Sequence, residues 1–235
     1  MKARFAIIAA LPREVAGLVK GVTPDAELRR RKIFLYRMSE VVVVAAGMGT
    51  ERAGLAVGAA LAAGEVTDLL SVGLAGSCHP ALTPGTVVEA HVVVDTMTGE
   101  RFECDAKSSD GRALTLATTQ EIASVAEKSR LALSYQAVMV DMEAATVARL
   151  ARAHGLRFRA IKAISDGHDA ELDYLSNFTG KHGTFRTGRF AFHIMLRPWT
   201  WARSMELGRN SAEAIDALDQ ALKLTLALHQ VDFGR

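Results

Sequence analysis

Cysteine is almost missing from this 235-residue chain: Cys78 and Cys104 form no CxxC pair, and no histidine stands at zinc-ligand spacing. A disulfide framework and a metal site are therefore not expected, and a reducing cytoplasmic compartment is. Proline is scarce, with 5 residues, and no Pro- or Ser-rich linker, repeat or low-complexity tract divides the sequence, so one domain spanning 1–235 is expected. An excess of either charge is also lacking. Lys and Arg total 28 against 26 Asp and Glu, a net charge of +2 that gives no reason to expect a nucleic-acid partner. Long apolar runs are missing too. The longest uncharged stretch, Leu69 to Val88, is broken by Gly73, Gly76, Pro80, Pro84 and Gly85, which suits no transmembrane helix. The start, a charged Met1 to Arg4 followed by apolar Phe5 to Leu11, is interrupted by Pro12-Arg13-Glu14 without a small-residue cleavage site, so it is not read as a secretion signal.

What is present fits a soluble α/β protein, with 49% hydrophobic and 23% charged residues and enough length to bury roughly 70% of the unfolded surface. Val- and Ile-rich runs alternate with stretches of helical period, the pattern of strands joined by crossover helices. Strands are expected at Phe5–Ala10, Ile33–Met38, Val41–Ala46, Leu69–Val72, Thr86–Val94, Ala137–Val140 and Phe158–Ile164. Helices are expected at Val15–Val19, Thr50–Ala63, Gln120–Leu131, Glu143–His154 and Ser211–Leu228, the last with Ser211 as N-cap and an apolar stripe through 215, 218, 222 and 226.

Two kinds of motif carry chemistry. Gly47-Met48-Gly49 leaves a strand and opens a helix, which suits a turn whose backbone N–H groups approach an anion, with Thr50 and Arg52 nearby. It is not a dinucleotide fingerprint, because the sixth position is Arg52 rather than glycine. Carboxylates also cluster after strands: Glu14, Asp141 with Glu143, and Asp166. Each has a plain alternative: an N-cap for Asp141, dipole complementation for Glu143, a turn former for Asp166. Three such clusters at strand ends, where open α/β sheets hold ligands, together favour a site.

Four segments in order, Ile7-Ile8-Ala9-Ala10-Leu11-Pro12-Arg13-Glu14-Val15, Gly73-Leu74-Ala75-Gly76, Val140-Asp141-Met142-Glu143-Ala144 and Lys162-Ala163-Ile164-Ser165-Asp166, resemble the purine nucleoside phosphorylase and nucleosidase family, in particular the methylthioadenosine/S-adenosylhomocysteine nucleosidases. The resemblance covers about residues 3 to 180. It implies a three-layer sandwich with a central twisted mixed sheet flanked by helices, cleavage of a nucleoside N-glycosidic bond, no cofactor beyond phosphate as a co-substrate in the phosphorolytic case, and a homodimer. It also implies roles. Asp166 is the acid at N7 of the purine, Glu143 accepts from the ribose hydroxyls, and Glu14 activates the nucleophile. Met142, Leu74, Ala75, Gly76 and Ser165 contact substrate, while Gly47, Gly49 and Arg52 form a turn near the nucleophile or phosphate.

The chain departs from the methylthioadenosine branch in two respects: Thr118 to Ile122 lacks the Phe that stacks on adenine there, and Lys162 replaces an Arg. It also carries a segment at 181–209 with six Lys or Arg, one acidic residue and five aromatics, including both tryptophans. Phe185, Phe190, Phe192, Trp199 and Trp201 beside Arg186, Arg189, Arg197 and Arg203 suit a lipid-like 5′ substituent, a peripheral membrane contact or a protein interface. Together with Gly-Met-Gly-Thr-Glu-Arg-Ala and Arg-Pro-Trp, this segment resembles the hopanoid-associated branch, which removes adenine from adenosylhopane. The expected function is therefore adenine release from a 5′-substituted adenosine. The alternatives are a methylthioadenosine/S-adenosylhomocysteine nucleosidase, a futalosine hydrolase, or a non-catalytic nucleoside-binding or membrane-surface protein.

Overall fold

The computed structural model describes residues 5–106, 113–171 and 201–228, with side chains from 208 onward in the last stretch. The aromatic residues of the 181–209 segment lie outside the described side chains.

The β-rich apolar runs form a ten-stranded mixed sheet. Its strands are β1 (Phe5–Ala9), β2 (Phe34–Arg37), β3 (Val41–Ala45), β4 (Asp68–Ser77), β5 (Val87–Ala90), β6 (Val92–Asp95), β7 (Arg101–Glu103), β8 (Thr115–Thr118), β9 (Ala137–Asp141) and β10 (Arg157–Asp166). The order is β2-β3-β1-β4-β9-β8-β6-β7, with β10 lying between β4 and β5. β4 runs parallel to β1 through Asp68–Ser71 and to β10 along its length, while Gly76 and Ser77 at its end pair antiparallel with β9. The end of β4 is thus where the sheet divides.

Strands such as β1 and β3 are buried on both sides, which is why they read as unbroken apolar runs. Alternate residues enter two cores. Ala6, Ile8, Val42 and Val44 pack with the helices α2 (Thr50–Ala63) and α4 (Ala144–Ala153); Phe5, Ile7, Val41 and Val43 pack with Leu218, Leu222 and Leu226 of α5 (Trp201–Leu228). The result is helix, sheet and helix in three layers. Two shorter helices, α1 (Ala26–Arg30) and α3 (Val125–Tyr135), are also present among the described residues. Among the described residues no helix is long and apolar enough to cross a membrane.

Several expected boundaries change. Val15–Val19 is not a helix; Pro12–Val15 is a 3-10 turn instead. Thr86–Val94 divides at His91 into β5, paired with β10, and β6, paired with β7 and β8, because the two halves join different neighbours. α3 begins at Val125 rather than Gln120, capped by Ser124, whose hydroxyl accepts from Glu127 N at 3.2 Å. Ser211 lies inside α5 and is not its N-cap, while of the stripe it was expected to precede Leu218, Leu222 and Leu226 are buried and Ile215 is half-buried at the cavity. α1, β7 and β8 were not anticipated; they are short, and only the pairing of β7 and β8 with β6 distinguishes those two from loop.

Leu222 is fully buried between α5 and the sheet. Leu222→Ala is expected to cost about 3 kcal/mol of unfolding free energy, read as a lower urea midpoint at unchanged slope.

Candidate active site

The carboxyl ends of β1, β4, β9 and β10 border a cavity of about 420 Å³. Glu14 reaches it because Pro12 ends β1 and starts the tight turn that folds the side chain back. Its Oε2 accepts N–H bonds from Ala10 (3.0 Å) and Leu11 (2.8 Å), and its Oε1 accepts from Leu74 at 3.3 Å. Gly73 makes the space. Its φ is +137°, and a Cβ there would sit 3.1 Å from both Glu14 oxygens.

Glu143 stands at the N-cap of α4, yet its side chain does not cap that helix. Oε1 instead accepts from Gly49 N at 2.7 Å and Oε2 from Met142 N at 3.3 Å. The capping contact belongs to Asp141, whose Oδ2 accepts from Ala144 N at 3.0 Å and also pairs with Lys162 Nζ at 2.8 Å. Thr118 donates to its Oδ1 at 2.7 Å. Lys162, 1% exposed, makes a second bond, to Ser71 Oγ at 3.0 Å. Asp141 is thus both a helix cap and a wall of the cavity.

Asp166 arrives through a register shift between β10 and β4, which leaves Ser165 as the extra residue and sets Asp166 opposite Gly76. Its Oδ2 pairs with Lys128 Nζ at 2.5 Å, and its Oδ1 accepts from Ser165 Oγ at 2.6 Å. A Cβ on Gly76 would lie 2.9 Å from Asp166 Oδ2 and 3.1 Å from Lys128 Cε, so the glycine is what admits the pair.

Glu14, Glu143, Asp166, Met142, Leu74, Ala75, Gly76 and Ser165 thus all line one cavity, with Arg13 exposed at its edge. Gly47, Gly49 and Arg52 do not line it, although Met48 between the glycines does. Gly47 N donates to Ala10 O at 2.8 Å, and Gly49 N holds Glu143. Arg52 is turned into the protein, its guanidinium bonded to the carbonyls of Ala46 and of Lys32, the latter at 2.7 Å. The turn therefore holds an anion, and that anion is the protein's own Glu143 carboxylate. Lys128, Thr119, Ile122 and Ile215 were missed as lining residues. Lys128 carries no local signal, since a lysine in an amphipathic helix reads as solvated, whereas Ile122 stands in the stretch where an aromatic was noted as lacking. Among the described residues no group of His, Cys, Asp and Glu is arranged to hold a metal ion.

Burial raises Glu14 above the usual carboxylate range, against the lowering effect of the Leu11 N–H and of Lys162. Glu143 is pushed up to about 7, first by burial and then by the Asp141 charge. Burial alone would lower Lys162, but Asp141, Glu143 and Glu14 together raise it. The cavity is therefore lined by carboxylates that outnumber the lysines beside them, a field that favours a cationic species inside.

Because the folded pKa of Glu143 lies above its unfolded value near 4.5, the folded state holds the extra proton between those values, and stability falls as pH rises from about 4.5 to about 7. Glu143→Gln mimics the protonated form. Its melting temperature is expected to exceed that of the wild type at pH 8, with the difference shrinking towards pH 5; a constant difference at both pH values contradicts the assignment.

Comparison with curated protein sequences gives no match. Among solved structures, an MTA/SAH nucleosidase aligns with a TM-score of 0.74 at 15% identity, over 98% of this chain and 97% of that one. Futalosine hydrolase of Helicobacter pylori aligns with a TM-score of 0.66 at 16% identity, over 94% and 96%. The 5′-methylthioadenosine/S-adenosylhomocysteine nucleosidase of S. pneumoniae, bound to a transition-state inhibitor, gives 0.61 at 22% identity, over 93% and 99%. These likenesses establish the fold. The sequence itself matches the family described as Phosphorylase superfamily over residues 4–115 and 111–187, and with that match and the strand-end carboxylate cavity the chain belongs to the phosphorylase superfamily.

Proposed function

We propose that the protein hydrolyses the N-glycosidic bond of a 5′-substituted adenosine and releases adenine. The observation that carries this reading is the convergence of Glu14, Glu143 and Asp166 on one cavity. Leaving of the base generates a ribosyl cation, which a carboxylate-rich cavity stabilises while an acid protonates the departing purine. Asp166 serves as that acid, Glu143 accepts from the ribose hydroxyls, and Glu14 takes the proton of the attacking water. Glu14 suits the last role because burial raises its pKa, which makes the carboxylate a stronger base. Its oxygens are fixed by three backbone N–H groups, so the carboxylate does not swing away.

Water is favoured over phosphate as nucleophile because, among the described residues, the cations around the cavity that would receive an anion are already engaged. Arg52 is tied to two carbonyls, Gly49 N to Glu143, Lys162 to Asp141 and Lys128 to Asp166. Among the described residues, Arg13 is the remaining cation that lines the cavity, exposed at its edge and sharing it with four carboxylates, Glu14, Asp141, Glu143 and Asp166.

For the 5′ substituent we favour a large apolar group, with adenosylhopane as the specific candidate. The cavity extends to Gly208, Ala212 and Ile215 of α5, and among the described residues a Cβ on Gly208 would meet nothing within 4 Å. The aromatic, basic 181–209 segment immediately precedes and enters this helix, which also suits peripheral contact with an anionic membrane and a homodimer in the cytoplasm. A smaller substituent, as in methylthioadenosine or futalosine, is the second reading, favoured by the shared fold of the nucleosidases above.

Adenine release from methylthioadenosine and from a 5′-deoxy-5′-alkyl adenosine, each with and without phosphate, tests the proposal. Free ribosyl product in both buffers and preference for the long alkyl chain are expected; phosphate dependence overturns the choice of water, and preference for methylthioadenosine overturns the apolar substituent. Asp166→Asn is expected to lower turnover by roughly 10² to 10⁴, with full activity excluding it as the acid.

A further inference from the structure

Lys128 is a buried charged group lining the cavity that the hydrolysis just described leaves without a task, and it is the one paired directly with Asp166. It projects from α3, where its neighbours Glu127 and Arg130 form an exposed pair at 2.6 Å, but its own side chain is 2% exposed. Nζ lies 2.5 Å from Asp166 Oδ2, 2.7 Å from Gly167 O and 3.5 Å from Ala170 O. All three ammonium hydrogens are directed at protein oxygens, so Lys128 serves Asp166 and its loop rather than a ligand. The other carboxylate oxygen accepts from Ser165. Both oxygens of the Asp166 carboxylate therefore have a donor beside them, and Lys128 Nζ, at 2.5 Å, carries a proton within reach of the carboxylate.

We propose that Lys128 and Asp166 form one acid unit, in which Lys128 holds the carboxylate in position and supplies the proton that Asp166 passes to the departing base. The inference rests on the N-glycosidase reading above. As the bond between the sugar carbon and the base nitrogen breaks, its electron pair leaves with the purine. A ring nitrogen takes a proton from Asp166, which takes one from Lys128, leaving a neutral amine. Water adds to the sugar and its proton goes to Glu14. The net transfer within the site is one proton from Lys128 to Glu14, and exchange with solvent restores both. Lys128 does not touch the substrate; it is a positioning and proton-supplying residue.

Two substrates separate this role from simple packing: an adenine nucleoside, whose base must be protonated to leave, and a 4-nitrophenyl riboside, whose leaving group departs as an anion. Lys128→Met is expected to lose roughly 10² in kcat/KM on the nucleoside and less than about tenfold on the nitrophenyl riboside, the same split as Asp166→Asn. The double variant is expected to be no slower on the nucleoside than the slower single variant, since both act through one proton. Lys128→Arg keeps the charge and the ion pair, and so guards against a folding defect, but a guanidinium does not release its proton. It is expected to follow Lys128→Met on the nucleoside. Equal losses on the two substrates, additive losses in the double variant, or a wild-type rate in Lys128→Arg each overturn the proposal while leaving the glycosidase reading intact. A wild-type protein that cleaves neither substrate overturns both.

Discussion

Several carboxylates are buried around one cavity, and the rest of the site is organised around keeping them there. An isolated ionised carboxyl in a protein interior is strongly disfavoured, so each must be hydrogen-bonded, paired with a cation, or protonated. All three solutions are in use. Glu14 is held by backbone N–H groups, Asp141 is paired with Lys162 and Asp166 with Lys128, and Glu143 is raised to a pKa of about 7. Buried pairs of this kind are weak net contributors to stability, but losing one partner costs about 3–5 kcal/mol because the other is stranded. The arrangement therefore constrains both lysines as tightly as the acids.

The backbone supplies what the side chains cannot. Strand ends deliver unpaired N–H groups, and the turns after β1 and β3 bring the N–H groups of Leu11 and Gly49 to Glu14 and Glu143. The Gly73-Leu74-Ala75-Gly76 stretch passes so close to two of the carboxylates that a methyl group at either glycine would crowd Glu14 or Asp166. The register shift at Ser165 sets Asp166 opposite Gly76. These are small local irregularities in an otherwise regular sheet, and they sit where chemistry requires side chains to leave the alternating pattern.

Membership of the phosphorylase superfamily sets the fold and the strand-end location of the cavity, while the particular lining residues set what is bound there. Among the described residues, Thr119 and Ile122 line one side of the cavity and Gly208, Ala212 and Ile215 of α5 another, all with small or aliphatic side chains.

The sequence by itself determined the α/β class, the central strands and the apolar stripe of α5, because burial on both faces of a sheet and on one face of a helix imposes periodicities of 2 and 3.6. It also determined which carboxylates stand near strand ends, since Glu14, Asp141, Glu143 and Asp166 each come within a few residues after an apolar run. Splitting of the Thr86–Val94 run and the pairing of β7 and β8 were not legible there, as they depend on which distant strands lie alongside. The same holds for the charges. Nothing local distinguishes Arg52, turned onto backbone carbonyls, from an arginine aimed at an anion, or Lys128, 38 residues before Asp166, from a solvated lysine on a helix. Only the tertiary structure decided those roles, because the energy of a buried charge is set by the distance to its partner through space, and that distance is fixed only when the elements have packed.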